Sequence, residues 1–154
     1  MEKNRIVYRD ISFEEVSLIK DLWERNRDYH QKISKSFGNL YHNLKFEDRI
    51  SGFASFDKDK IKMTLAEDKK TQKCLAYCIS VIEAACGETQ TLHVIEDARR
   101  YGIGKQLMLD HMQWFKENAC LEVKLLVSYD NEKTIAFYES LGFISNTIEM
   151  RLIG

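Results

Sequence analysis

Two glycines separated by one residue, Gly102 and Gly104, constrain the fold of this 154-residue chain more than any other feature. They lie between a predicted strand that ends near Val94 and an amphipathic pattern that begins near Ile103. A strand that turns into a helix at such a loop directs several backbone N–H groups toward one point, and the helix N-terminus adds about half a positive charge. The loop therefore predicts an anion site, suited to a phosphate or a pyrophosphate.

Basic side chains flank these glycines. Arg99, Arg100 and Lys105 would add positive charge at the rim of the loop, and a glycine without a β-carbon lets the backbone approach a phosphate closely. The loop is not a P-loop, because no Gly-Lys-Ser/Thr closes it, and it differs from the G-x-G-x-x-G dinucleotide motif. By itself it fits either a phosphate site or a simple glycine-rich helix start.

The periodicity of apolar residues predicts a single α+β domain over residues 1–154. The predicted order is strand, helices, three strands, helix, strand, helix and strand, which is typical of a mixed sheet with helices packed on it. The strands are predicted at 6–9, 60–65, 74–83, 88–94, 121–128 and 144–152. Helices are predicted from 12 to 23, in pieces between 28 and 56, and at 103–118 and 133–140.

Composition excludes several classes of function. The net charge of −1 gives no reason to expect nucleic acid or an acidic membrane as a partner. No long apolar run follows the first five residues, so we expect neither a signal peptide nor a transmembrane helix, and we expect a cytoplasmic protein. No set of His, Cys, Asp and Glu has the spacing of metal ligands, so no metal is expected.

A second motif follows the next predicted strand and reads NEKTIAFYESLGF over residues 131–143. With the glycine loop, it resembles the general N-acetyltransferase (GNAT) superfamily, in which an R/Q-x-x-G-x-G/A loop precedes a strand, an Asn and a helix reading A-x-x-F-Y-x-x-L-G-F. The resemblance covers residues 88–143. It implies a mostly antiparallel sheet with flanking helices and a splayed parallel strand pair, here 88–94 and 121–128. The implied activity is acetyl-CoA-dependent N-acetyl transfer to a primary amine.

The resemblance also implies where acetyl-CoA binds. The backbone around His93 and Val94 would bind the pantetheine arm like an added strand, and the amides of the glycine loop would hold the pyrophosphate. Asn131 matches a position that contacts the pantetheine region, and Tyr138 matches the tyrosine that protonates the leaving thiolate. The implied cofactor-binding residues are His93, Val94, Arg99, Arg100, Tyr101, Gly102, Ile103, Gly104, Lys105, Asn131 and Tyr138.

A base is needed because an alkylamine with a pKa of about 10.4 is mostly protonated at neutral pH. In the lysine acetyltransferase branch of the family a glutamate lies six residues before the valine matched by Val94, which is Glu88 here. The polyamine-type branch has it four residues before, where this chain has Gln90, which cannot act as a base. Strict alternation would place Glu88 and Gln90 on one face of the strand and His93 on the other. Glu88 is therefore the candidate base, and a solvated residue after a turn is the alternative.

The acceptor site of this fold is usually walled by the first helices. Glu24 and Asp28 lie four residues apart and could receive a cationic amine beside Tyr29, although a solvated charged face fits them equally well. The acceptor could be a small molecule or a peptide amine, and a homodimer is possible. A non-catalytic acyl-CoA-binding sensor of the same fold and a purely structural domain are the alternatives to an enzyme.

Overall fold

The computed structural model describes residues 1–153 and confirms the α+β architecture. Five strands form one mixed sheet in the order β1-β2-β3-β4-β5, antiparallel except for the parallel pair β4 and β5. The strands are β1 (Ile6–Asp10), β2 (Ile61–Asp68), β3 (Cys74–Glu83), β4 (Cys86–Val94) and β5 (Glu122–Leu125). The helices are α1 (Lys20–Ile33), α2 (Gly38–His42), α3 (Phe46–Phe53), α4 (Ile103–Glu117) and α5 (Glu132–Ser140). Short 3-10 helices are formed by Lys3–Arg5, Phe13–Ile19, Lys58–Lys60 and Glu96–Ala98.

Helices cover both faces of the sheet, and β3 lies at its centre with residues 75–82 all buried. On one face α4 crosses β4 so closely that a β-carbon on Gly87 would come 2.4 Å from the ring of Phe115. On the other face α1 and α3 pack together through Trp23 and Phe46, whose rings meet edge to face at 5.8 Å. The glycine in β4 is therefore required by the close approach of a helix.

A β-bulge interrupts β4 at Gln90. Ile79 of β3 is opposite Thr91, and Ser80 is opposite Thr89, so Gln90 has no partner of its own in β3. An extra residue shifts the alternation of side chains on one side of the bulge relative to the other. The prediction that His93 points away from the face of Glu88 is therefore wrong, because strict alternation does not hold across residue 90. Glu88 and His93 share the face covered by α1 and α3.

The parallel strands β4 and β5 separate after a short paired segment. Residues 86–89 pair with residues 122–125, and β5 is shorter than the predicted 121–128. In the described part of the chain, no strand pairs with residues 90–94 on the side that faces β5. The last five residues of β4 therefore offer unpaired backbone groups inside the splayed pair.

The predicted closing strand at 144–152 is wrong. Residues 144–153 have no regular secondary structure, and β5 is an outer strand of the sheet among the described residues. The apolar residues of this segment are exposed, with Ile144 and Met150 each at 89%. Alternating apolar residues favour a strand only where a sheet edge supplies hydrogen-bond partners. The sequence pattern does not say whether that edge is available within the same chain.

Candidate active site

The glycine loop places an uncapped helix start beside β4. Gly102 has a positive φ of 70°, which favours glycine over every other residue, and it is the N-cap of α4. The backbone N–H of Gln106 donates to the Gly102 carbonyl oxygen at 3.0 Å, which fixes the helix start there. Within residues 1–153 no side chain caps this end of α4, so its first-turn amides can bind an anion.

The two sequence motifs meet at Gly104. A β-carbon at this residue would lie 3.4 Å from the ring of Phe137 on α5 and 3.6 Å from the side chain of Val94 at the end of β4. The start of α4, the end of β4 and the helix of the second motif therefore converge on one small region. This is the arrangement that the resemblance implied for the loop, Val94 and α5.

The basic rim of the loop is smaller than predicted. Arg99 turns toward α1, where its Nε–H donates to the Val94 carbonyl oxygen at 3.1 Å and its guanidinium lies 5.7 Å from the ring centre of Tyr29. Arg100 and Lys105 are exposed and remain available to an anion. Of the remaining loop residues, Ile103 is buried in the core and Tyr101 is half-buried.

Tyr138 on α5 is buried but keeps a free hydroxyl. Its ring packs edge to face against Phe137 at 5.0 Å and Phe143 at 5.8 Å. The hydroxyl makes no hydrogen bond to any described residue, yet it is not sealed from solvent. Burial raises the pKa of Tyr138 above its usual value of 10.0, so the phenol stays protonated at neutral pH. This side chain is a proton donor without a partner among the described residues.

Asn131 caps the helix that carries Tyr138. Its Oδ1 accepts a hydrogen bond from the Thr134 N–H at 3.3 Å, and the residue is only 3% exposed. Its Nδ2 donates to no residue of the described chain and is therefore the group that could contact a ligand. Asn131 thus serves the N-terminus of α5 in addition to the contact that the resemblance implied.

On the α1 and α3 face, Glu88 is held in a charged cluster. The Nε2 of Gln90 donates to the Glu88 carboxylate, and the Nη2 of Arg49 on α3 donates to the Gln90 Oε1 at 2.8 Å. The Nζ of Lys124 on β5 lies 4.0 Å from the same carboxylate. Glu88 therefore lies close to two basic side chains, Lys124 directly and Arg49 through the Gln90 amide. No sequence pattern pointed to Arg49, because α3 comes well before β4 in the chain.

A second polar cluster lies next to Glu88 toward the end of β4. The Nδ1 of His93 is hydrogen-bonded to the Asn26 Oδ1 on α1 at 3.3 Å, and the Tyr77 hydroxyl is hydrogen-bonded to the Thr91 hydroxyl at 2.6 Å. Burial lowers the pKa of His93 to about 4, so the imidazole is neutral at neutral pH. Burial also raises the pKa of Tyr77. These groups are neutral, and no motif predicted Asn26 or Tyr77.

The predicted acceptor residues on α1 lie in two settings. Glu24 and Asp28 share one partner, Arg27, at 4.0 Å and 3.0 Å, so a single guanidinium partly offsets the two carboxylates. Tyr29 instead lies against Arg99 at the end of β4. The pairing with Arg27 favours the alternative of a solvated charged face for the two carboxylates.

The described residues offer no place for a metal ion. No group of three or more His, Cys, Asp or Glu side chains between residues 1 and 153 could hold one. No helix in the same range has the length and apolar character needed to cross a bilayer. What the described residues do provide is a helix start without a side-chain cap, an open strand edge, a phenol and a carboxylate.

Comparison with known proteins agrees with this geometry. The profile of the Acetyltransferase (GNAT) family matches residues 7–143. Comparison with curated proteins finds no significant match.

Three solved structures share the fold. A mutant of the BH1408 protein from Bacillus halodurans is 21% identical over 96% of this chain and 99% of its own, with a TM-score of 0.74. The PaiA N-acetyltransferase from Thermoplasma acidophilum, in complex with coenzyme A, is 20% identical over 94% of this chain and 92% of its own, with a TM-score of 0.73. AAC(6')-Iy, in complex with a bisubstrate analogue of CoA, is 14% identical over 97% of this chain and 99% of its own, with a TM-score of 0.71.

Proposed function

The chain belongs to the acetyltransferase (GNAT) family, and from this premise we propose that it transfers an acetyl group from acetyl-CoA to an amine by direct attack, with Tyr138 as the general acid. One observation carries the proposal. The start of α4, the end of β4 and the helix that carries Tyr138 meet at Gly104, which is close to both Val94 and Phe137, the residue before Tyr138.

The residues present fit acetyl-CoA, which supplies an activated acetyl group when bound. The amides at the start of α4 would hold its pyrophosphate, with Arg100 and Lys105 at the rim. The backbone of β4 around His93 and Val94, on the side that no strand covers, would bind the pantetheine arm as an added strand once Arg99 releases the Val94 carbonyl oxygen. Gly104 supports this fit, because a side chain there would fill the space between Val94 and Phe137.

Glu88 would act on the acceptor side of β4. Its carboxylate lies on the face of β4 that α1 and α3 cover, and a carboxylate would attract an approaching ammonium. Removing a proton from that ammonium, directly or through water, produces the neutral amine that can attack. His93 lies on the same face of β4, but its Nδ1 is already hydrogen-bonded to Asn26.

Tyr138 would act on the opposite side of the reacting carbonyl. Its raised pKa keeps the proton on the hydroxyl until a stronger base than water appears beside it. A thiolate whose conjugate acid has a pKa of about 8.5 accepts a hydrogen bond from a phenol and can take its proton. The packing of Phe137 and Phe143 against the ring holds the hydroxyl in place.

The alternative is a non-catalytic acyl-CoA-binding sensor of the same fold. Both functions need the α4 start and the β4 edge, but a sensor has no use for a free phenol and a carboxylate on two sides of the same strand. Thiol release from acetyl-CoA across a panel of amines distinguishes them. An enzyme releases thiol in an amine-dependent way, whereas CoA binding without release would support the sensor.

We also propose that a second copy of the chain pairs with the outer edge of β5. The segment 144–153 has no regular structure and exposes several apolar side chains, and β5 itself exposes Leu121 beside its start and Leu126 beyond its end, at 91% and 86%. An open strand edge and an unpaired apolar segment in one chain are the two halves of a strand-exchanged dimer. Sedimentation should give a dimer that dissociates when residues 144–154 are removed, and a monomeric full-length chain would contradict it.

A further inference from the structure

Arg49 is a cation without an acidic partner beside the candidate base. It lies on α3, its guanidinium stacks over the buried ring of Phe53 at 4.6 Å, and its Nη2 donates to the Gln90 Oε1 at 2.8 Å. Among the residues that the structure describes, no salt bridge involves Arg49, whereas Arg5 and Arg9 each have a carboxylate at 2.6 Å. Its side chain is exposed, so it can be reached from solution.

Gln90 connects this cation to Glu88. Its carboxamide oxygen accepts from Arg49 and its nitrogen donates to the Glu88 carboxylate. Both hydrogen bonds require the same orientation of the amide, so the two bonds support each other. The β-bulge at Gln90 brings this side chain to the face of Glu88. A positive and a negative group are thereby fixed at the two ends of one amide.

Lys124 already pairs with Glu88, which leaves the Arg49 guanidinium with only the Gln90 amide as a polar partner among the described residues. Glu88 contributes one negative charge, while Arg49 and Lys124 contribute two positive charges. An acceptor with only an ammonium group would contact the Glu88 carboxylate and leave the Arg49 guanidinium without an anionic partner. An acceptor that also carries an acidic group would satisfy both ends, because a guanidinium forms paired hydrogen bonds with carboxylate or phosphate oxygens.

We propose that the acceptor is an amine that also carries an anionic group, a carboxylate or a phosphate, with Arg49 binding the anion and Glu88 the amine. Arg49 is then a specificity-determining residue, and Gln90 positions both charged groups. This inference rests on the proposed acetyl transfer. It predicts that neutral amines are poor acceptors even when they match the anionic ones in size.

Matched pairs of acceptors test the inference. β-Alanine is compared with β-alaninamide, and phosphoethanolamine with ethanolamine, as acceptors in a thiol-release assay. We expect kcat/KM to be about tenfold or more higher for one or both anionic members, because hydrogen bonds to charged groups contribute about 1.5–3 kcal/mol. The β-alanine pair tests whether the site prefers a carboxylate, and the phosphoethanolamine pair tests whether it prefers a phosphate. Equal kcat/KM within both pairs would overturn the proposal.

Variants assign the preference to Arg49. Arg49→Gln should lower kcat/KM for the preferred anionic amine by about tenfold more than for its neutral counterpart, so that the preference is lost, whereas Arg49→Lys should retain part of it. Arg25→Gln is the matched control, since Arg25 is an exposed arginine of α1 paired with Asp21. Gln90→Glu should also reduce the preference, because its carboxylate would pair with Arg49. A preference unchanged in Arg49→Gln would contradict the role of Arg49.

Direct binding separates this inference from the proposed reaction. If the wild type releases no thiol with any amine, the acetyl transfer has failed as a proposal. Calorimetric titration of the CoA-loaded protein with β-alanine and with phosphoethanolamine then tests the site alone. Binding of one of them that Arg49→Gln weakens by about tenfold would support the anion site, and binding that is absent or unaffected by the variant would overturn it.

Discussion

The two sides of β4 are built from different parts of the chain. On the side that faces β5, the site consists of backbone groups, namely the unpaired edge of residues 90–94 and the first amides of α4. On the face toward α1 and α3, it consists of side chains that come from three separate elements, Arg49, Glu88 and Lys124. The first side suits a ligand that is common to a family, and the second can vary without changing the fold.

Because the two sides are built differently, substitutions on each side should affect a different ligand. A change on the backbone side should alter the binding of acetyl-CoA, and a change on the side-chain face should alter the handling of the amine. Under the proposed mechanism Tyr138 acts after both ligands are bound, so a change there should alter turnover more than affinity. The following variants test this separation, from the largest expected effect to the smallest.

Tyr138→Phe should lower kcat by about 100-fold, because removal of a general acid usually costs at least that much. Acetyl-CoA affinity should stay within about threefold of wild type, since the ring and its packing against Phe137 and Phe143 remain. Thiol release and calorimetry measure the two quantities. Tyr129→Phe is the control, because this tyrosine is exposed. Unchanged turnover would remove Tyr138 as the acid.

Glu88→Gln should lower the rate about 30-fold near neutral pH, where most of an alkylamine is protonated and needs a base. The loss should shrink as the pH rises toward the pKa of the acceptor, because the free amine then becomes abundant. The pH profile of kcat/KM for the variant and the wild type measures this. A loss of equal size at all pH values would contradict the role of Glu88 as base.

Gly102→Ala should weaken acetyl-CoA binding by about tenfold, since a residue with a β-carbon is disfavoured by about 1–2 kcal/mol at a positive φ. The start of α4 would shift to relieve that strain, and its amides would move with it. Gly52→Ala is the matched control, because a β-carbon there meets no described atom within 4 Å. If both variants bind acetyl-CoA as the wild type does, the α4 start does not hold the cofactor.

The backbone side of β4 was largely predictable from the sequence. Its components, the glycine loop and the motif from Asn131 to Phe143, are contiguous segments whose spacing identifies them. The predicted helices at 103–118 and 133–140 agree with α4 and α5 to within one residue at each end. Local sequence is sufficient here because Gly102 and Asn131 determine where the two helices begin.

The side-chain face was not predictable in the same way. The bulge at Gln90 arises from the register of β4 against β3, and the local sequence Glu88-Thr89-Gln90-Thr91 alternates regularly. Without the bulge, His93 and Glu88 would point to opposite faces. Arg49 comes from a helix whose position depends on the packing of Phe46 and Phe53 in the core.

The segment at 144–152 failed as a predicted strand for a related reason. Its alternating apolar residues match a strand pattern, but pairing depends on a partner edge that the local pattern does not specify. Among the described residues the outer edge of β5 is open, and the side chain of Ile148 is exposed. The bulge and this segment both depend on how strands pair, and strand pairing cannot be predicted from the local sequence of one strand.

The most direct test of the acetyl-transfer proposal is mass-spectrometric detection of the product formed from acetyl-CoA and an amine, measured together with thiol release. We predict an acetylated amine in equal amount to the thiol, formed fastest with β-alanine or phosphoethanolamine and about 100-fold more slowly by Tyr138→Phe. Tight binding of CoA with no acetylated product from any amine in the panel would contradict the account.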